Sequence, residues 1–135
     1  MWGLQMKNRK FDLWYYTVSH RMMLLRSAGS GAQPNLDLIF TDVSYLEMPS
    51  ELKGLTVAEP TPEEMEYLRE RAAEKPETVT VLVSGEKRYF VISARMKIAE
   101  NHLHPLELPF DIPCDMGGIF RRGGEPAKGG EPPQA

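Results

Sequence analysis

The strongest local signal in the chain is Thr61-Pro62-Glu63-Glu64, which sets Thr at N-cap, Pro at N1 and Glu at N3 of a helix. Thr61 can accept from the backbone of Glu64 while the Glu64 side chain reaches back to Thr61, the reciprocal pair of a capping box. Proline is tolerated at N1 because no intrahelical acceptor awaits its missing N–H. The acidic first turn suits the positive end of the helix dipole. Lys75-Pro76 is expected to close the helix, because proline biases its predecessor away from helical angles. Met65, Leu68 and Ala72 make only a narrow apolar stripe over that span. A helix so sparsely apolar must lie on something else.

The rest of the pattern is β. Thr78 to Val83 alternates, with Val79, Val81 and Val83 on one face, and Arg88 to Ala94 returns with Phe90 and Ile92 on one face and Tyr89 and Val91 on the other. Gly85 stands where a two-residue type II′ hairpin turn needs a positive φ. Met96 and Ile98 extend the alternation. Phe11 to Val18 is dense in aromatic and β-branched residues with apolar groups on both faces, which predicts a central buried strand. Arg21 to Arg26 is ambiguous in propensity, but its short length and the glycines beyond it favour a strand. Ser27 to Asn35 reads as a mobile loop, Leu36 to Phe40 as a strand, Val43 to Met48 as a further edge element, and Leu55 to Val57 as a short strand or extended link.

The two ends differ from this middle. Residues 1–10 read as a flexible leader, with Met6 a second possible start. Residues 101–115 carry Pro105, Pro109 and Pro113 among apolar residues, which predicts an extended strap. Residues 116–135 contain Gly-Gly-Glu-Pro twice, at 123–126 and 129–132, and read as a disordered tail. A single α+β domain is therefore expected over 11–115. Its sheet should be mainly antiparallel, five to seven strands, and strongly bent or barrel-like, because one narrow helix cannot cover a flat sheet. A dimer whose two sheets share a face is the competing solution.

Composition narrows the function classes. Apolar residues at 41% and charged residues at 26% are ordinary for a globular domain, so wholesale disorder and a fibrous repeat are excluded. A net charge of −3 argues against a nucleic-acid partner, and no stretch has the roughly 20 apolar residues of a membrane helix. The lone Cys114 has no partner for an intramolecular disulfide, so a cytoplasmic setting is expected.

Chemistry-bearing motifs are sparse. Walker A, dinucleotide-binding, EF-hand, HExxH and CxxC patterns are all missing, and no catalytic residue or cofactor is expected. His102 and His104 share one side of an extended segment, with Glu107, Asp111 and Cys114 beyond, so His102, His104 and Cys114 are the candidate metal ligands. The prolines between them and the need for three or four ligands argue against a bound metal. Ser19-His20 is adjacent in sequence, whereas a nucleophile and its base must face each other in space. Acidity concentrates in residues 59–77, and Glu63, Glu66, Glu70 and Glu74 fall on one broad side of the helix as a candidate contact for a partner protein. The leading expectation is a non-catalytic protein-binding module, such as an adaptor, regulator, inhibitor or immunity-like protein. The alternative is a small-molecule- or metal-binding domain, even an enzyme, using a pocket in the sheet and the His102–Cys114 strap.

Overall fold

The computed structural model describes residues 6–72, 78–109 and 121–122. Nine strands and the helix that packs on them follow in chain order, with a 3-10 turn at Ser19–Arg21 after the first strand. They are β1 (Lys10–Thr17), β2 (Met22–Ser27), β3 (Asn35–Glu47), β4 (Glu51–Lys53), β5 (Thr56–Ala58), α1 (Pro62–Arg71), β6 (Thr78–Ser84), β7 (Lys87–Asn101), β8 (Glu107–Leu108) and β9 (Arg121–Arg122). A seven-stranded antiparallel sheet in the order β4-β1-β2-β3-β7-β6-β5 curls into a half-barrel. The expected α+β class and bent sheet are what is found. The short β8 and β9 pair in parallel beside it. The remaining tail residues lie outside the described residues. No helix among the described residues is long and apolar enough to cross a membrane.

The curl has a local cause. On β3, Leu36, Leu38 and Phe40 face the main core, as do Ile98 and Met96 on β7, but farther along the core face passes to Val43 on β3 and to Val91 and Tyr89 on β7. That change of phase falls between Phe40 and Val43, where Asp42 takes a left-handed φ of 58°, and a bulge follows directly between Val43 and Tyr45. An extra residue in one strand raises the local twist, so the sheet bends around its own apolar face. The main core is thereby closed within one chain, with Phe11, Met23, Leu25, Leu52 and Leu55 also in it.

Both faces are covered. Residues Asn35 to Phe40 are all buried, because their second face carries a smaller cluster of Leu24, Ile39 and Leu108 with Trp14 and Ala99 around it. Helix α1 covers a third cluster, in which Leu68 meets Val81, Phe90 and Ile92. The capping box at Thr61 and Glu64 is present in full. The helix stops at Arg71 rather than Lys75, since Ala72 is already extended (φ −82°, ψ 138°) while its N–H still reaches the Leu68 carbonyl. Glu74 and Lys75-Pro76 lie outside the described residues.

Several expectations need correction. Residues 6–10 are no loose leader: Met6 is 2% exposed, and Gly54, at φ 81°, donates its N–H to the Arg9 carbonyl at 2.8 Å. A β-carbon at Gly54 would lie 2.8 Å from the Lys7 carbonyl oxygen, so the close approach needs glycine. Arg9 also binds Ser27 and the Pro34 carbonyl, which ties the 28–34 loop to this segment. The two strands expected over 36–48 are one bulged strand, and β4 was unsuspected. β1 is not central, because β4 pairs only with Lys10 to Asp12; Leu13 and Tyr16 are 37% and 40% exposed. In the β6–β7 hairpin, Gly85 has φ 64° and Glu86 is not left-handed, the pattern of a type II′ turn.

Candidate functional site

Beneath the second face lies a buried polar network. Arg26 and Asp37 are directly opposite in the β2–β3 register, 1% and 0% exposed. Arg26 Nε donates to Asp37 Oδ1 at 2.8 Å and its Nη2 to Oδ2 at 3.0 Å. Asn101 donates to Asp37 Oδ2 at 2.7 Å and accepts from Asn35 and from the Leu103 N–H. Asn35 in turn donates to the Leu103 carbonyl, and Arg26 Nη1 to that of Glu107. Trp14 donates to the Pro105 carbonyl at 3.0 Å, and the Arg26 guanidinium stands 5.6 Å from its ring centroid. No buried side-chain polar atom among the described residues lacks a partner. These bonds hold residues 102–109 against the sheet, so the strap is a fixed wall.

That wall borders a groove of about 490 Å³ lined by Met22, Ile39, Thr41, Arg95, Met96, Lys97 and Pro109. Strand register explains its make-up. Thr41 pairs with Arg95 and Ile39 with Lys97, so β7 supplies two cations and Met96 while the other apolar groups come from β2, β3 and the strap. Arg95 and Lys97 are exposed, and among the described residues no ion pair or hydrogen bond engages either side-chain cation. Among the described residues no His, Cys, Asp or Glu lines the groove.

One end of the groove adjoins strained backbone. His20, Arg21 and Asp42 all have positive φ (64°, 44° and 58°), and they directly precede Met22 or follow Thr41. Left-handed non-glycine residues cost on the order of 1 kcal/mol each and persist only where surrounding structure imposes them. Arg21 and Asp42 form an exposed ion pair at 2.9 Å that bridges the two strained segments. At the turn itself Ser19 Oγ lies 3.1 Å from His20 Nδ1. Among the described residues no hydrogen-bond partner orients the other ring nitrogen, and no carboxylate stands behind it as a catalytic triad would need.

The strap histidines do not converge on a shared site. His102 Nε2 lies 3.4 Å from the Ala32 carbonyl, whereas His104 Nδ1 accepts from the Leu106 N–H and the Glu107 side chain caps the His104 N–H. Cys114 and Asp111 lie outside the described residues. Among the described residues no group of three His, Cys, Asp or Glu is placed to hold a metal ion.

On α1, Glu63, Glu66 and Glu70 are exposed, but Arg69 approaches Glu66 to 3.6 Å and interrupts the acidic face. Glu64 turns instead to the sheet, where Arg88 binds both its oxygens at 2.6 and 2.9 Å. Hydrogen bonding from Arg88 holds the Glu64 carboxyl below the usual carboxylate range. At the far side of the helix, Glu47 accepts from Tyr45 and Tyr67. Burial, and then the Glu47 carboxylate, push the Tyr45 hydroxyl up to about 12.

Sequence reasoning offered a pocket in the sheet beside the strap only as an alternative and named none of the lining residues, and it missed the network. The available signal was the spacing of Arg26 and Asp37 in neighbouring strands, which a hairpin register would have brought opposite one another. Comparison with protein-family models, with curated proteins and with solved structures finds no match to this chain.

Proposed function

We propose that this protein is a non-catalytic protein-binding module that receives an acidic segment of a partner protein in the groove between β7 and the strap. The observation that carries this reading is that Arg95 and Lys97, unpaired among the described residues, stand beside an apolar wall of Met22, Ile39 and Pro109. Two cations side by side, with no ion pair among the described residues, raise the potential locally and favour an anionic partner. The apolar wall adds contact area that a purely electrostatic encounter lacks. The interrupted charge on α1 makes its acidic face the weaker contact.

A second reading rests on volume: about 490 Å³ falls within the range of small-molecule pockets, so an anionic small molecule is the alternative ligand. Affinity capture with the full chain separates these readings. The wild type and a Glu66→Lys/Glu70→Lys variant should retain the same partner, and Arg95→Glu/Lys97→Glu should lose it in a salt-sensitive manner. Loss only on helix reversal would move the site to α1. Retention by all three baits would overturn the proposal, and mass spectrometry of an anionic compound co-purifying with the wild type alone would establish the second reading.

A further inference from the structure

The groove has two unlike walls, and their geometry constrains what can lie between them. Arg95 and Lys97 are two residues apart on β7, so both point to one face with their α-carbons about 7 Å apart, the i to i+2 repeat of an extended chain. The opposite wall, from Met22 and Pro109, is apolar. An extended peptide placed between them sends alternate side chains to opposite walls. We infer that the groove selects an extended segment in which acidic and apolar residues alternate, with carboxylates two residues apart. This deepens the proposed function and rests on it.

The charges match one for one. Each carboxylate at i and i+2 meets one cation, and the residues between them meet Met22, Ile39 and Pro109. A segment of the same composition with its acidic residues adjacent sends one carboxylate to each wall. One cation then stays unpaired and one carboxylate is set against apolar surface, which costs binding free energy. A helical segment fails for the same reason, since its residues at i and i+2 do not share a face.

Two synthetic peptides of identical composition test this with the full-length protein. One carries Leu-Glu-Leu-Glu-Leu and the other Leu-Leu-Glu-Glu-Leu, each with the same fluorophore and followed by anisotropy. The alternating peptide should bind at least tenfold more tightly, and Arg95→Gln/Lys97→Gln should abolish that difference. Both cations are exposed, so the variant keeps its fold, and an unchanged circular dichroism spectrum verifies this. Equal binding of the two peptides, lost in the variant, would overturn the spacing while leaving an acidic ligand in place. Absence of binding by either, or binding indifferent to the variant, would overturn the spacing and the acidic-segment reading together.

Discussion

Arg26 and Arg88 make the same bond in opposite surroundings. Each guanidinium binds a carboxylate through two nitrogens, Asp37 at 2.8 and 3.0 Å and Glu64 at 2.6 and 2.9 Å. The first pair is 1% and 0% exposed, the second 35% and 17%. Distance therefore does not rank them. Burial removes the hydration of both Arg26 and Asp37, and the pair is tolerable only because Asn101 and the Glu107 carbonyl satisfy more of its hydrogen-bonding groups. The Arg88–Glu64 pair is only partly buried, keeps more of its hydration than the first and returns less stability. One bond is structural because breaking it strands a charge, and the other fastens a helix that is already capped.

Breaking the buried pair should have the largest effect. Asp37→Asn leaves the Arg26 charge without its counter-ion, and we expect a loss of about 3–5 kcal/mol in denaturant titration. Arg26→Met with Asp37→Leu removes both charges and should restore most of that loss. A double variant as damaged as the single would show that hydrogen bonds to the strap outweigh the stranded charge. Asn101→Ala comes next, at about 1–3 kcal/mol, because it unpairs groups on Asp37, Asn35 and Leu103 at once. It should also release the strap, read as a red shift of tryptophan emission as Trp14 loses the Pro105 carbonyl.

The exposed side should respond less. Thr61→Ala removes the cap acceptor and should cost about 1 kcal/mol, while Thr61→Ser should be nearly silent. Glu64→Gln keeps a side chain able to cap but removes the ion pair, and the cost should stay below about 1 kcal/mol. Its pH dependence has a definite sign. The Glu64 carboxyl is held below its ordinary range by Arg88, so its contribution is full above the unfolded carboxylate pKa and fades as pH falls through the lower folded value. The stability gap between wild type and Glu64→Gln should accordingly close below about pH 4. A gap that persists in acid would trace the effect to packing instead.

What was legible in the sequence follows from range. The Thr61–Glu64 cap and the Gly85 turn are settled by neighbours within four residues, and both are present in the form their residues dictate. The bent sheet was also legible, because Met65, Leu68 and Ala72 are too few to cover a flat one. Asp37 was not. In Leu36-Asp37-Leu38 an aspartate at the alternate position reads as facing water, and it does face away from the main core. Only the strap, more than 60 residues later, turns that second face into an interior. The groove was hidden for the same reason, since Met22, Ile39, Arg95 and Pro109 meet only after three strands and the strap have assembled.

The pairing of β3 with β7 sets the order in which the chain can complete itself. Asn35 is matched to Asn101 and Glu47 to Phe90, so β3 gains its second neighbour only from residues made much later. At a synthesis rate of about 5–20 residues per second, that delay is on the order of 3–10 s. During it β1, β2 and β3 can form an antiparallel meander, but Leu36, Leu38 and Phe40 line an open edge with no partner from the same chain. A nascent chain of this fold is thus most prone to self-association in that interval, and slowing translation between residues 48 and 101 should lower its soluble yield.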